Sequence, residues 1–430
     1  MVLIARRVAS VNGAYSRIGR LQRADLMKEH RHGRSQRDRK TQLSPDAERL
    51  VTASLGLASS GSRVEDRFWE TLWGARIEKL LDSGHAQAVL DALERLEKTD
   101  GDAYGSLVEA TEAAAEQALI EHDGQRYEAL LITAPLIAWT RFRIPSGALA
   151  AEPVSVLSAH WQAHVLARET RFRLVPWLYS LDQLPRDFAE IRRMTRKLGQ
   201  SVLSGQTPRL DLKDLPETAE MLADTRYLLA VVVVPAGLPM FRWQELNSEP
   251  LTSRAHCLEA WELQGRPNLE STLAGCGFEL LLPDAYHVNL RESDRRIRPY
   301  GIRAGVHFLT HALVLEPDGL SAAVAAFGDG DVEEYRIGIS VKGRDEVIQG
   351  IVWPLLGAES EDDEPSPLDV IRATFLEAGV TDVQVWNETV RPDFCEDCGA
   401  PLFPNGKGEI VHPEEPELPG NGNPSGDHFH

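Results

Sequence analysis

The run Leu228–Phe241, LLAVVVVPAGLPMF, constrains this chain more than any other stretch. It is too short to cross a bilayer and carries two prolines, so it reads as a buried strand followed by its exit turn. Leu130–Trp139, Phe172–Tyr179 and Gly277–Leu282 have the same character. Helical patterns separate them, at about Val154–Arg168, Pro185–Gly199 and Thr252–Gln264. Strand–helix–strand order with connections of this length predicts βαβ crossovers and largely parallel pairing.

Upstream, Ser44-Pro45-Asp46 is a strong helix start, with serine as the cap and proline at the first helical position. Helices are expected over 45–59, 64–82, 85–98 and 102–121, broken at Ser60-Gly61, Ser83-Gly84 and Asp100-Gly101. Downstream, His307–Leu315 and Tyr335–Val341 read as strands. Ile348–Leu355, a capped helix from Ser366-Pro367 to Gly379, and Val383–Trp386 read as a looser third copy of the strand–helix–strand order. The predicted fold class is α/β: a helical N-terminal region, then two or three related βαβ units in a mixed, largely parallel sheet. The expected organisation is a disordered basic arm over 1–43 and helical hairpins over 44–125. α/β repeats follow over 126–225 and 226–305, then an α/β unit over 306–392. A C-x-x-C hairpin over 393–412 and a disordered tail over 413–430 complete the chain.

Charge is unevenly spread. Residues 1–43 carry eleven basic residues against three acids, a charge of +8, which leaves −27 on the rest of a chain whose total is −19. An acidic body of that size repels polyanions, which argues against nucleic acid as a partner except through the basic arm. The arm itself reads as a solvated leader, and Met27 as an alternative start. Four cysteines, with Cys257 and Cys276 isolated in core-like segments, indicate a reducing compartment, hence the cytoplasm, without a disulfide framework. No signal peptide or membrane-spanning run is visible.

Two stretches carry candidate chemistry. In RPDFCEDCGAPLFPNGKGEIVHPEE, Cys395 and Cys398 form one thiolate knuckle, and a turn at Pro404-Asn405-Gly406 brings His412 back toward it. That is half a zinc ribbon. Cys395, Cys398 and His412 are therefore candidate metal ligands, with structural zinc as the cofactor. A fourth ligand would come from His428, His430, a carboxylate such as Glu409, or Cys257 or Cys276 folding back. A metal-free thiol turn is the other main reading. A redox dithiol fits less well, because Gly399 and Pro401 oppose the helix such chemistry uses.

The second stretch runs from Pro283 to Arg303, directly after a strand, where open α/β sheets place ligands. If 290–298 is helical, Arg291, Arg295 and Arg298 share a face and form a site for phosphate or carboxylate. His287 and Asp284 are the candidate catalytic acid/base pair. The competing reading is a salt-bridge net, since Glu292–Arg296 and Asp294–Arg298 are spaced as helical ion pairs.

The segments SPDAERLVTASLGLASSGSRVEDRFWE, LYSLDQLP, FRWQE, CGFELLLPDAYH, ESDRRIRPY and CEDCGAPLFPN resemble an uncharacterised β-proteobacterial family, known only as a domain of unknown function. The resemblance covers about residues 40–415. It implies a bacterial cytoplasmic protein and brings no activity, cofactor or catalytic residue. Phosphate-loop, dinucleotide-fingerprint, nucleophile-elbow and zincin motifs are absent from the sequence. The expected function is a cytoplasmic ligand-binding or protein-interaction protein, recognising an anionic small molecule or a protein through the arginine-rich helix. The alternative is an enzyme on a phosphorylated or carboxylated substrate, using His287 and Asp284.

Overall fold

The computed structural model describes residues 43–212, 214–218, 221–245, 252–357, 359–360 and 363–414. The basic arm up to residue 42, and the tail from residue 415 onward, lie outside the described residues.

Four helices open the fold: α1 Pro45–Ala58, α2 Arg63–Asp82, α3 Gln87–Glu97 and α4 Gly101–Glu116. Three begin with a side-chain cap, the expected Ser44 and two others. Ser44, Ser62 and Asp100 each accept a hydrogen bond from an N–H in the first turn of α1, α2 and α4. The fourth helix stops at Glu116, before the expected residue 121, because Gln117–His122 is a strand, β1. A two-residue turn joins β1 to β2, Gln125–Trp139. Asp123 and Gly124 hold φ of 50° and 74°, as the twist of a tight antiparallel hairpin requires.

The remaining elements of the first unit are β3 Gly147–Ala148, α5 Ala151–His164, β4 Arg171–Ser180, α6 Phe188–Ser204, β5 Ala223–Pro235, α7 Arg254–Leu269, β6 Gly277–Leu280 and β7 Asp284–Ala285. All pairings in this seven-stranded sheet are antiparallel. Strand β2 is its spine. One edge of β2 pairs with β5 from Tyr127↔Pro235 to Trp139↔Ala223; the other takes β1, β7 and β6 in turn. Strand β4 pairs with the far side of β5, and β3 with β4.

The predicted parallel sheet is therefore corrected. Strands β2 and β4 run the same way, but β5 lies between them in the opposite sense. Strands β5 and β6 are likewise separated by β2. The path β6-β2-β5-β4 is the interleaved order of a split βαβ arrangement, and the repeated βαβ units expected from the sequence are not formed. Both faces of the sheet are dry. On one, Leu131, Val231 and Val233 pack against α1–α4 and α6; on the other, Ile132, Val232 and Val234 pack against α5 and α7. Trp161 of α5 and Trp261 of α7 meet edge to face at 5.8 Å, both fully buried.

One long helix, α8 Tyr286–Leu313, leaves this unit for the next. Its Tyr286 and Leu290 belong to the first core, and its Ile302, Val306 and Leu309 to another. It runs through Pro299, so the expected strand at His307–Leu315 is corrected to helix up to Leu313. The second sheet contains β8 Leu320–Phe327, β9 Glu334–Val341, β10 Gln349–Pro354 and β11 Asp382–Val385, in the order β10-β9-β8-β11. Only β11, reached through α9 Pro367–Glu377, pairs in parallel, with β8. A two-stranded hairpin, β12 Phe403–Pro404 and β13 Ile410–Val411, follows. Among the described residues no helix is long and apolar enough to cross a membrane.

Candidate metal centre

Segment Arg391–Glu414 folds back over the second sheet on the face opposite α8 and α9. Small residues make room for it: a Cβ at Gly338 of β9 would run into the Pro404 carbonyl, and one at Gly350 of β10 into the Phe403 ring. Arg336 of β9 fastens the knuckle. Its Nη1 donates to the carbonyls of Asp393 (2.6 Å) and Leu402 (3.0 Å), the two ends of the loop. Its Nε donates to Glu334 at 2.7 Å. The guanidinium lies over the rings of Phe327 and Phe394, at 4.5 Å and 5.0 Å. Within the loop, Cys395 N–H donates to the Ala400 carbonyl and Gly399 N–H to the Cys395 carbonyl. The turn between β12 and β13 is held by buried Asn405, whose Oδ1 accepts from the N–H groups of Lys407 and Glu409, both at 2.9 Å.

This frame brings Cys395, Cys398 and His412 together. Their ligand atoms all lie within 4.8 Å of one another, and Cys398 Sγ is 3.3 Å from His412 Nε2. The backbone N–H of Cys398, then that of Asp397, point at the Cys395 sulfur and lower its thiol below the ordinary cysteine value. Two sulfurs and one imidazole at this spacing match the donor set of a tetrahedral thiolate–imidazole site with one position open. All three expected metal ligands thus converge as the spacing predicted.

The arginine-rich region does not. Arg291 reaches back to Glu112 of α4. Arg295 pairs with Glu292 at 2.9 Å, and Arg298 makes a two-pronged bond to Glu359 at 2.7 and 2.8 Å. Arg298 also donates to the Pro354 carbonyl and covers the Trp353 ring. The three arginines expected to hold an anion each already face a carboxylate, two of these carboxylates being distant in sequence.

His287 and Asp284 are likewise separated by their partners. Glu116 of α4 accepts from the His287 backbone N–H at 2.9 Å and sits 2.9 Å from its Nδ1. Asp284 pairs with Arg254 and accepts from Ala285 N–H. These contacts complete the start of α8, whose own cap position, Ala285, has no side-chain acceptor. Both residues are buried. A depression of about 330 Å³, lined by Arg266, Glu270, Cys276 and Phe278 among others, includes neither.

Glu359 yields a pH prediction. Burial alone would raise its carboxyl, but the hydrogen bonds and charge of Arg298, with Leu356 N–H and Arg295, hold it below the ordinary value. Its folded form therefore gives up its proton more readily than its unfolded form. The contribution is full above the unfolded value, about 4.3, and is lost as pH falls through the lower folded value. Comparing unfolding of the protein and Glu359→Gln between about pH 6 and 3 should show the stability difference closing toward acid. A constant gap would contradict this account.

A family model described as a protein of unknown function, DUF2863, matches residues 35–426. The chain belongs to the DUF2863 family. The DUF2863 match takes in both sheets and the whole Cys395–His412 hairpin, and leaves residues 1–34 of the basic arm outside it. No curated protein and no solved structure matches the chain. Within this DUF2863 chain, sequence reasoning missed Arg336, the residue that anchors the hairpin. A lone arginine in an apolar strand, EYRIGISV, was its only signal.

Proposed function

We propose that this chain is a cytoplasmic zinc-binding protein with a recognition role, in which the metal fixes the Cys395–His412 hairpin as a rigid docking element for a protein partner. The observation that carries this reading is the convergence of Cys395, Cys398 and His412 within 4.8 Å on a loop anchored at both ends by buried Arg336. Phe394, next to the first ligand, is 52 % exposed and offers an apolar contact beside the site. Free thiols at all four cysteines fit a reducing compartment. Anion recognition by Arg291, Arg295 and Arg298 has less support, since each guanidinium already faces a carboxylate. Acid/base chemistry by His287 and Asp284 has less still, because each is buried and bonded to a different partner.

Metal analysis of the purified protein tests the reading. One zinc per chain is expected, lost in the double variant Cys395→Ser/Cys398→Ser and accompanied by a lower melting temperature. The same zinc content in the variant overturns it.

A further inference from the structure

Helix α2 carries two apolar faces, and the first unit covers only one of them. Trp73, Ile77, Leu80 and Leu81 point inward and are buried with α1, α3 and α4. On the opposite side Val64, Phe68 and Leu72 recur at four-residue steps and are 78 %, 60 % and 53 % exposed. Ala75, about one turn on, is exposed in line with them. Single exposed apolar residues are ordinary, but a stripe running along the helix is not. A helix with apolar residues on both faces is one that is covered on both. We propose that a second copy of this chain supplies the cover, through a twofold-symmetric, antiparallel packing of α2 on α2.

The charges that flank the stripe argue for this occupant. With about 3.6 residues per turn, Glu65 and Lys79 lie on one flank of it, and Arg67 and Glu78 on the other. Each flank is thus acidic toward one end of the helix and basic toward the other. In an antiparallel pair related by a twofold axis, each flank meets its own counterpart with the ends exchanged. Glu65 then faces Lys79 of the partner subunit, and Arg67 faces Glu78 of the partner subunit. Both pairs have their midpoint at or beside Leu72, so a single register satisfies them and sets Leu72 on the axis. In that register Phe68 enters the space beside Ala75 of the partner subunit, the smallest side chain of the stripe. The charges are available for this. Among the described residues Glu65, Arg67 and Lys79 have no ion-pair partner. Glu78 lies 3.6 Å from Arg192, which is already bonded to Asp82 at 2.6 Å. The face belongs to the first unit, so the pairing needs neither the metal nor the Cys395–His412 hairpin.

Sedimentation velocity of the full chain, over about a hundredfold range of concentration, tests the assignment. The wild type should run as a dimer that dissociates on dilution. Leu72→Lys sets two like charges on the axis and should weaken association by about thirtyfold or more, with helix content by circular dichroism unchanged. Phe68→Ser should do the same from the neighbouring turn. Glu65→Lys alone should weaken association by about fivefold, because each new lysine meets Lys79 of the partner subunit. Glu65→Lys combined with Lys79→Glu restores opposite charges and should recover the dimer. A wild-type monomer throughout that range overturns the proposal, as does a dimer that Leu72→Lys and Phe68→Ser leave intact. A monomer that dimerises only once residues 1–42 are removed also overturns it, since the basic arm is then the occupant in the full chain. Failure of the double swap to recover what Glu65→Lys loses overturns the antiparallel packing.

Discussion

Replacing Arg336 with leucine is expected to lower the free energy of unfolding by about 3–5 kcal/mol, the range seen when one member of a buried charged pair is removed. The side chain is 1 % exposed. Leucine returns part of the apolar volume but no donor, so the carbonyls of Asp393 and Leu402 lose the group that satisfies them. Phe327 and Phe394 lose the cation between them. Glu334, which is 19 % exposed, retains some water, and this places the cost toward the lower end. The loss should concentrate at the hairpin: hydrogen-exchange protection of Cys395, Gly399 and Leu402 amides should fall further than that of β8 and β9. Arg336→Lys keeps the charge without the planar fork and should recover only part of the stability. A leucine variant within about 1 kcal/mol of wild type, with hairpin protection intact, would contradict the assignment of Arg336 as the anchor.

A second buried arginine should behave alike at the other sheet. Arg226 of β5 is 1 % exposed and pairs with Asp224, itself 8 % exposed. It also donates to the carbonyls of Pro145 at 2.8 Å and Ile144 at 2.9 Å, tying down the segment that leads into edge strand β3. Arg226→Met should cost about 3–5 kcal/mol, because it strands a carboxylate in a low-dielectric site. Arg226→Met combined with Asp224→Ala should be less damaging than Arg226→Met alone, since no charge is then left unpaired. Chemical denaturation of the two singles and the double gives the coupling directly. Strict additivity would mean that Asp224 finds other solvation and that the pair is not the unit described here.

The contrast between what could and could not be read from the chain has physical causes. Helix starts at Ser44-Pro45 and Ser366-Pro367 were legible because capping is local: the donors satisfied lie within one turn. Strand positions were legible in the valine-rich run for the same reason. Strand direction was not. A continuous apolar strand reports two covered faces, and here α1–α4 and α6 cover one face of an antiparallel sheet while α5 and α7 cover the other. The helical crossovers suggested parallel neighbours, but those through α5 and α7 each pass over an intervening strand, and α6 joins strands that pair antiparallel. The strand expected at His307–Leu315 is instead the continuation of α8, which runs fourteen residues past Pro299 to Leu313. At the sites, Cys395, Cys398 and His412 were found because a knuckle and a short hairpin fix their separation through the backbone. The fate of Arg291 and Arg298 was hidden, because their partners Glu112 and Glu359 are 179 and 61 residues away in sequence.

The way the second sheet is finished has a consequence for synthesis. Strand β8 receives its parallel neighbour only when residues 382–385 are made, and Gly338 and Gly350 receive their cover only with Phe403 and Pro404. A nascent chain that has emerged only as far as β10 thus presents an open strand edge and an uncovered face bearing Ala323, Ala325 and Phe327. Those are the surfaces on which strands from another polypeptide add most readily. Ribosome pausing or premature termination between β10 and β12 is accordingly the point at which this protein is most exposed to misassembly.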